Sequence, residues 1–375
     1  MRVVIATNAF KNALPALQAA NAIKEGLLSS FPQCSVSCFP IGDGGDGTAS
    51  LIIDYCKGNR TEVKVHDPLG RPIMASYGLT DNNKTAVIEM ADASGLRLLK
   101  KDESDPLYTS SYGTGEMMID ALGRGVNKII LGMGGSATVD GGIGILQALG
   151  IRFFDAEQKL INLPENLNDL SEIDNSQIDK RYLNTEIIVL CDVENPLLGE
   201  SGSAHVFGPQ KGATSESIDH LEKGLRKFSE ITFLNTGKKI DKLARGGTAG
   251  GAAAGLHAFL NARLVNGISY FLDLTHFDQQ LLYCDLLITG EGSIDHQTLG
   301  GKAPFGVALK AKQYGISVIG LAGMVPAEPD QELQKYFDIL LAIGTKPTDL
   351  HEALRQTEKN LKRMGSVIGS FLSLR

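Results

Sequence analysis

The sequence predicts an α/β protein in which both chain ends build one domain around a parallel sheet and a second α/β domain is inserted between them. Three observations lead there. Strand–helix–strand comes first, with Val3–Ala6, then Leu14, Leu17, Ala20, Ile23 and Leu27 at helical spacing, then Ser35–Phe39. Buried-strand runs return near the end at Asp285–Thr289, Ser317–Leu321 and Ile339–Ala342, with a helix at Ala303–Gln313 between the first two. From Glu62 to Met90 the texture changes to a meander, with strands at Thr61–Val65, Ile73–Tyr77 and Thr85–Glu89 and a turn composition at Asp67–Pro72. These place one domain at 1–66 and 275–375 and the inserted domain at 67–274, with 128–150 compatible with either.

The remaining elements follow in order. Pro15 sits where a first helix starts. Thr48–Tyr55 reads as a helix after the loop Gly42–Thr48, and Gly115–Leu122 as another. Lys128–Leu131 is a buried strand, Gly132–Thr138 a loop nearly without side chains, and Ile143–Leu149 helical. Ile151–Phe154 is a strand, Lys159–Tyr182 a polar loop or short helix, and Glu186–Leu190 a strand ending at Asp192. Ser215–Phe228 is an amphipathic helix, Ala252–Leu260 follows a glycine- and alanine-rich stretch as a helix, and Leu350–Phe371 closes the chain helically.

Composition excludes several classes. A chain of 375 residues with 43% hydrophobic and 21% charged residues has ample core for globular domains. Its net charge of −7 and lack of a basic tract argue against nucleic-acid binding. No apolar run approaches the ~20 residues of a membrane span, and no charged–apolar–small leader pattern opens the chain, so a cytoplasmic protein is expected. Five scattered cysteines are no disulfide framework. Cys34 and Cys38 would lie ~13 Å apart on a strand, too far to share a metal. Cys191, beside Asp192, reads as a small buried hydrophobe.

Chemistry gathers at four glycine–acid loops: Gly42–Thr48, Gly132–Gly142, Asp192–Gly199 and Gly290–Asp295. Glycines let backbone N–H groups approach a ligand, and a helix N-terminus behind them favours anions. Carboxylates nearby suit a divalent metal that neutralises phosphate. Asp43, Asp46, Asp192, Glu291 and Asp295 are the candidate acids. Lys11, Arg71, Lys211 and Lys302 are candidate cations for an anionic acceptor or a triphosphate. No GxxxxGK[ST], close histidine pair or GxSxG is present. A GxGxx[GA] pattern does occur at Gly132, Gly134 and Ala137, with Asp155 about where a ribose-binding acid would stand. A dinucleotide-binding oxidoreductase is therefore a rival reading.

The combination resembles the bacterial glycerate kinase family. The resemblance rests on Phe10-Lys11, Gly42–Thr48, Asp67–Pro72, Tyr112–Glu116, Gly132–Gly142, Cys191–Gly199, Phe207–Ala213, Gly290–Asp295, Gln297-Thr298 and Gly301–Pro304, in family order over nearly the whole chain. It implies ATP-dependent phosphorylation of D-glycerate, most often at the 2-hydroxyl, by two α/β domains, one flavodoxin-like and one of different topology. This chain departs from the family pattern at Thr7-Asn8-Ala9, Asn12, Asp46, Ser293, His296 and Gly300. With the resemblance, Gly132, Gly134, Gly135, Ser136, Thr138 and Lys302 are expected to hold ATP. Lys11, Arg71 and Lys211 are expected to hold glycerate, and Asp43, Asp46 and Glu291 Mg2+. Asp192 or Asp295 is expected to orient or deprotonate the attacking hydroxyl. The expected partners are glycerate and ATP, with no nucleic acid and no membrane, in a monomer or homodimer. A non-catalytic sugar-acid-binding relative is the third reading, prompted by the acid and arginine missing near Asn8 and Ser293.

Overall fold

The structure, a computed structural model, describes residues 1–178, 180–328 and 330–374. Among these, strands run in chain order as β1 (Arg2–Thr7), β2 (Ser35–Cys38), β3 (Asn59–His66), β4 (Pro72–Thr80), β5 (Thr85–Glu89), β6 (Lys128–Gly132), β7 (Arg152–Asp155), β8 (Leu170–Asp174), β9 (Glu186–Cys191), β10 (Arg263–Asn266), β11 (Leu286–Ser293), β12 (Ser317–Met324) and β13 (Ile339–Ala342). Two compact units result: Met1–Asp43 with Ile268–Arg375, and Gly44–Gly267. The sequence reading divided the chain at 66/67 and 274/275. The division lies earlier because β3 pairs antiparallel with β4 along its whole length and so belongs to the inserted unit. Segment 128–150 belongs there too, since β6 lies between β5 and β9.

In the first unit the sheet order is β13-β12-β11-β1-β2, all parallel. Numbered within the unit, that is the flavodoxin-like order 2-1-3-4-5. The order reverses between β1 and β11, so a crevice is expected at their carboxyl ends, where Asn8 follows β1 and Glu291 lies near the end of β11. Val3, Ile5, Ile288 and Leu321 fill the sheet's core under the helices Ala16–Ser30 and Thr357–Leu372. Those helices touch backbone to backbone. A Cβ at Gly26 would lie 1.8 Å from Lys362 O, and one at Gly365 2.2 Å from Ile23 O.

The second unit carries a six-stranded sheet, β10-β9-β6-β5-β4-β3. Its β5, β6, β9 and β10 are parallel, and β3 and β4 add an antiparallel edge. Ile88, Leu131 and Val189 are wholly buried at its centre. Phe228, on the helix Ser215–Thr236, stacks between Phe153 and Phe259 with centroids 6.3 and 6.4 Å away.

Element types agree with the sequence reading, and several extents do not. Lys159–Tyr182, read as loop or short helix, holds the 3₁₀ turn Pro164–Asp169 and also β8, a short strand that pairs antiparallel with β7 as a separate ribbon. Residue 179 of that segment lies outside the described residues. β11 runs on to Ser293, carrying Gly290–Ser293 as strand rather than loop, because β12 pairs with it as far as Met324. The helix from Ser215 continues to Thr236, and the final helix is two, Leu350–Arg355 and Thr357–Leu372. β10 and the helix Gly267–Leu274 had no prediction. No helix among the described residues is long and apolar enough to cross a membrane.

Gly365→Val should destabilise the protein by about 1–3 kcal/mol, because the two helices cannot separate without opening the core between them. Chemical unfolding read by circular dichroism checks this; an unchanged midpoint would show that the crossing yields.

Candidate active site

In the second unit the glycine loop after β6 is held from several sides. Met133 N and Gly134 N both donate to Gly44 O, at 3.1 and 3.0 Å. Ala137 N donates to Ser94 O, and Leu96 N to Gly135 O. The following helix, Ile143–Ala148, has no vacant N-terminus for an anion. Asp140, 2% exposed, already accepts from Gly142 N and Gly144 N, and from Ser111 N and Oγ. The sequence expectation of a phosphate at that helix end is therefore corrected: a carboxylate occupies it. Within the loop, Gly132 is part of β6 and Gly134 N is committed. The N–H groups of Gly135 and Ser136 have no partner among the described residues, and Gly135, with φ of 69°, stands exposed at the apex.

Behind the loop lies Lys211, 3% exposed. Its ammonium donates to Ser136 Oγ at 2.8 Å and to Thr138 O at 2.7 Å. Burial lowers its pKa to about 7, against the upward pull of Asp140 and Asp192. Asp192 is half-buried one residue past β9. Thr138 Oγ is buried without a partner. The structure thus brings together four predicted residues: Ser136, Thr138, Lys211 and Asp192.

In the first unit a second group forms at the strand ends flanking the β1/β11 reversal. Glu291, 8% exposed, has its pKa pushed up to about 8 by burial first and then by the negative charge of Asp43, while Lys302 and the Asn8 amide oppose the rise. Its Oε1 is buried with no partner among the described residues. Asn8 Nδ2 donates to Asp43 Oδ2 at 3.1 Å. Asp295 also raises the Glu291 pKa, but its own oxygens accept from Gln297 N at 2.9 Å and Ser293 Oγ at 3.2 Å, so it caps the short 3₁₀ turn His296–Gly300. Lys302 opens the helix Ala303–Gln313.

Of the other predicted residues, Arg71 stands apart, whereas Asp46 lies against Gly135 and the Lys11 backbone lies beside Gly292. Arg71 is engaged by Asp67 at 2.5 Å and Glu103 at 2.9 Å and donates to Leu98 O, so it clamps its own turn. Asp46 is exposed and paired with Arg97 at 3.1 Å. Lys11 is exposed. Cys191 is wholly buried and its thiol is pushed up to about 12, which suits the reading as a small hydrophobe. Among the described residues no three His, Cys, Asp or Glu side chains are grouped to hold a metal. Asp43 and Glu291 are two, and Mg2+ needs only one or two carboxylates when substrate phosphates and water complete its shell. Sequence reasoning missed Asp140 and Glu89. Glu89 ends β5, accepts from Gly47 N at 2.5 Å and Ala49 N at 3.2 Å, and is raised to about 7 by burial, with Asp46 adding to the rise. Asp140 lies inside the Gly132–Gly142 loop but was not singled out among its acids, and Glu89 belongs to no motif, so only the sheet topology brings it to the Gly44 loop.

Comparison with known proteins places the chain in a family. The profile of the glycerate kinase family matches residues 3–373. A glycerate kinase of Halalkalibacterium halodurans is 44% identical over 362 residues, covering 96% of this chain and 95% of that protein. The glycerate 2-kinase of Escherichia coli is 40% identical over 375 residues, covering 100% and 98%. A crystal structure from Salmonella typhimurium LT2, described as a candidate glycerate kinase 2, superposes with a TM-score of 0.82 at 40% identity over 100% of this chain and 98% of that one.

Two outcomes test the geometry. A Cβ at Gly134 would lie 2.3 Å from Asp46 N, whereas one at Gly123 meets nothing within 4 Å. Gly134→Ala should destabilise by about 1–3 kcal/mol and Gly123→Ala by less than about 0.5 kcal/mol, by urea unfolding; equal effects would mean the two loops are not in tight contact. Lys211 has a folded pKa near 7 below its usual 10.5, so the unfolded chain binds more protons in that window. Stability from this group is present above pH 10.5 and lost as pH falls through about 7. Raising the pH from 7 to 9.5 should therefore shift the difference in thermal midpoint between wild type and Lys211→Met in favour of wild type. A constant difference would mean that Lys211 keeps its charge when buried.

Proposed function

The chain belongs to the glycerate kinase family and is a phosphotransferase, and on that premise we propose that it transfers a phosphoryl group from ATP to D-glycerate, at the 2-hydroxyl, with Mg2+. The observation that carries the assignment of roles is the buried Lys211 gripping Ser136 and Thr138 while Asp192 faces it. Phosphoryl transfer has a loose transition state, so positioning and charge neutralisation count for more than a strong base.

In the second unit, Lys211 fixes the glycine loop and places positive charge behind it, and the free N–H groups of Gly135 and Ser136 are donors for phosphate oxygens. Asp192 orients the attacking hydroxyl and accepts its proton. In the first unit, Asp43 and Glu291 fit a divalent cation, since Glu291 Oε1 is a buried acceptor with no donor among the described residues. When bound, Mg2+ would neutralise phosphate charge there and draw the Glu291 proton off. Lys302 supplies a second positive charge for the nucleotide phosphates. Asp295, as a cap, is the weaker candidate for the base. Arg71 reaches a substrate only by giving up Asp67 or Glu103, so it supports its turn rather than glycerate. The 2-hydroxyl is favoured by the name of the Escherichia coli relative.

The test is coupled ADP release from D-glycerate, ATP and Mg2+, with the phosphate located by 31P NMR. Turnover to 2-phosphoglycerate is expected, and 3-phosphoglycerate would overturn the position. Asp192→Asn should lower kcat by ~10²-fold or more with KM for ATP little changed. Wild-type turnover by a correctly folded variant would remove Asp192 from the role.

A further inference from the structure

A cavity of about 540 Å³ opens within the second unit, away from every residue given a role above; none of Gly132–Thr138, Lys211 or Asp192 lines it. Its volume falls within the range of small-ligand sites. The walls are amphipathic. Leu69, Ile151 and Leu163 contribute apolar surface, and Tyr108, Tyr112 and Leu160 at the opening are 45%, 38% and 55% exposed. Large apolar side chains left exposed together around a concavity mark a binding surface rather than chance.

Its polar atoms are few and specific. Gln147 Nε2 donates to Ile161 O at 2.6 Å and to Asn162 Oδ1 at 3.2 Å, which locks both amides in place. Among the described residues Gln147 Oε1 and Asn162 Nδ2 have no partner, which leaves an acceptor on one amide and a donor on the other. The charged groups at the walls are already committed. Asp67 is held by Arg71 and by the N–H groups of Leu69 and Arg71. Arg152 pairs with Asp174, and His66 Nδ1 with Glu116 at 2.9 Å. Among the described residues that line the space there is no uncommitted cation, so phosphate is not what it is built for.

We propose that this cavity is a second ligand site for a neutral planar heteroaromatic ring with a donor beside an acceptor on its edge, the chemistry of a purine nucleoside. The ring packs against the tyrosines and apolar walls while its edge pairs with Gln147 and Asn162. Occupancy is felt at the glycine loop, because the wall segment Tyr108–Tyr112 is tied to it. Thr109 Oγ donates to Ala137 O at 3.0 Å, and Ser111 N and Oγ donate to Asp140 at 2.9 and 2.6 Å. A ligand packed on Tyr108 and Tyr112 restrains the residues from which the loop hangs.

Adenosine is the probe, and binding is read by calorimetry without turnover, so failure here and failure of the kinase reading are separate results. Wild type should bind adenosine at millimolar concentration or below, and AMP no more tightly. Gln147→Leu should weaken binding about tenfold, as should Tyr112→Ala, which alters an exposed side chain and leaves the core intact. Binding should persist with saturating ATP and Mg2+, and adenosine should slow amide exchange in both 108–112 and 137–141. No binding, or binding indifferent to both substitutions, would overturn the site. Displacement by ATP would overturn its being a second site, and protection confined to 108–112 would overturn the coupling.

Discussion

The second unit depends on backbone meeting backbone around one loop. Residues 132–138 lie against the loop that begins at Gly44, close enough that Gly134 leaves no space for a Cβ. On another side a Cβ at Gly250 would sit 1.9 Å from Thr138 O. Such contacts form only where side chains are absent, which explains glycine on three separate segments that meet in space. They also fix the loop without using up its apex: the hydrogen bonds go to Met133, Gly134 and Ala137, and Gly135 remains outward with its N–H free. A rigid loop with one exposed donor edge is what positioning a phosphate requires, since little reorganisation remains when the ligand arrives.

Each unit then buries one ionisable group against its preference. Lys211 is held near neutrality by burial, and Glu291 is held protonated near neutral pH by the same cause. Both sit where a ligand of opposite charge would restore the ionised form: an anion beside the lysine, a cation beside the glutamate. Empty, each group is a source of instability; occupied, each becomes favourable. Ligand binding in each unit would therefore be linked to a proton on a side chain of that unit. Asp140 shows the contrast. It is buried too, but four donors surround it, so it is a structural brace with nothing left to offer a ligand.

Much of the fold was legible because hydrophobic period carries it. The helices Thr48–Tyr55, Ala252–Leu260 and Ala303–Gln313 have the bounds read from sequence, and the return of buried strands after Asp285 announced the discontinuous unit. What was missed lacked that signal. β8 is a short strand in a separate ribbon, and the Glu291 loop proved to be strand because pairing with β12, a long-range fact, extends it. The site was legible as a set of loops but not as a set of roles. Nothing local to Arg71 reveals that Glu103, distant in sequence, already holds it, and nothing local to Glu89 shows that it accepts from N–H groups at the start of the much earlier helix Thr48–Tyr55.

The dinucleotide reading can be weighed by topology rather than motif. A ribose-binding acid works from the end of a strand that lies parallel beside the strand feeding the glycine loop. Here β6 feeds the loop, and its neighbours are β5 and β9. Asp155 ends β7, which pairs with β8 in a separate antiparallel ribbon, and its carboxylate caps its own turn through Glu157 N and Lys159 N. The acid at the end of neighbouring β5 is Glu89, spent on the N–H groups of Gly47 and Ala49, and β9 leads instead to Asp192. Nor does the helix behind the loop offer its N-terminus to a pyrophosphate, because Asp140 fills it. The glycine spacing thus has a different cause in this chain, the close approach of the Gly44 loop, and the same three letters arise without the geometry that gives them meaning elsewhere.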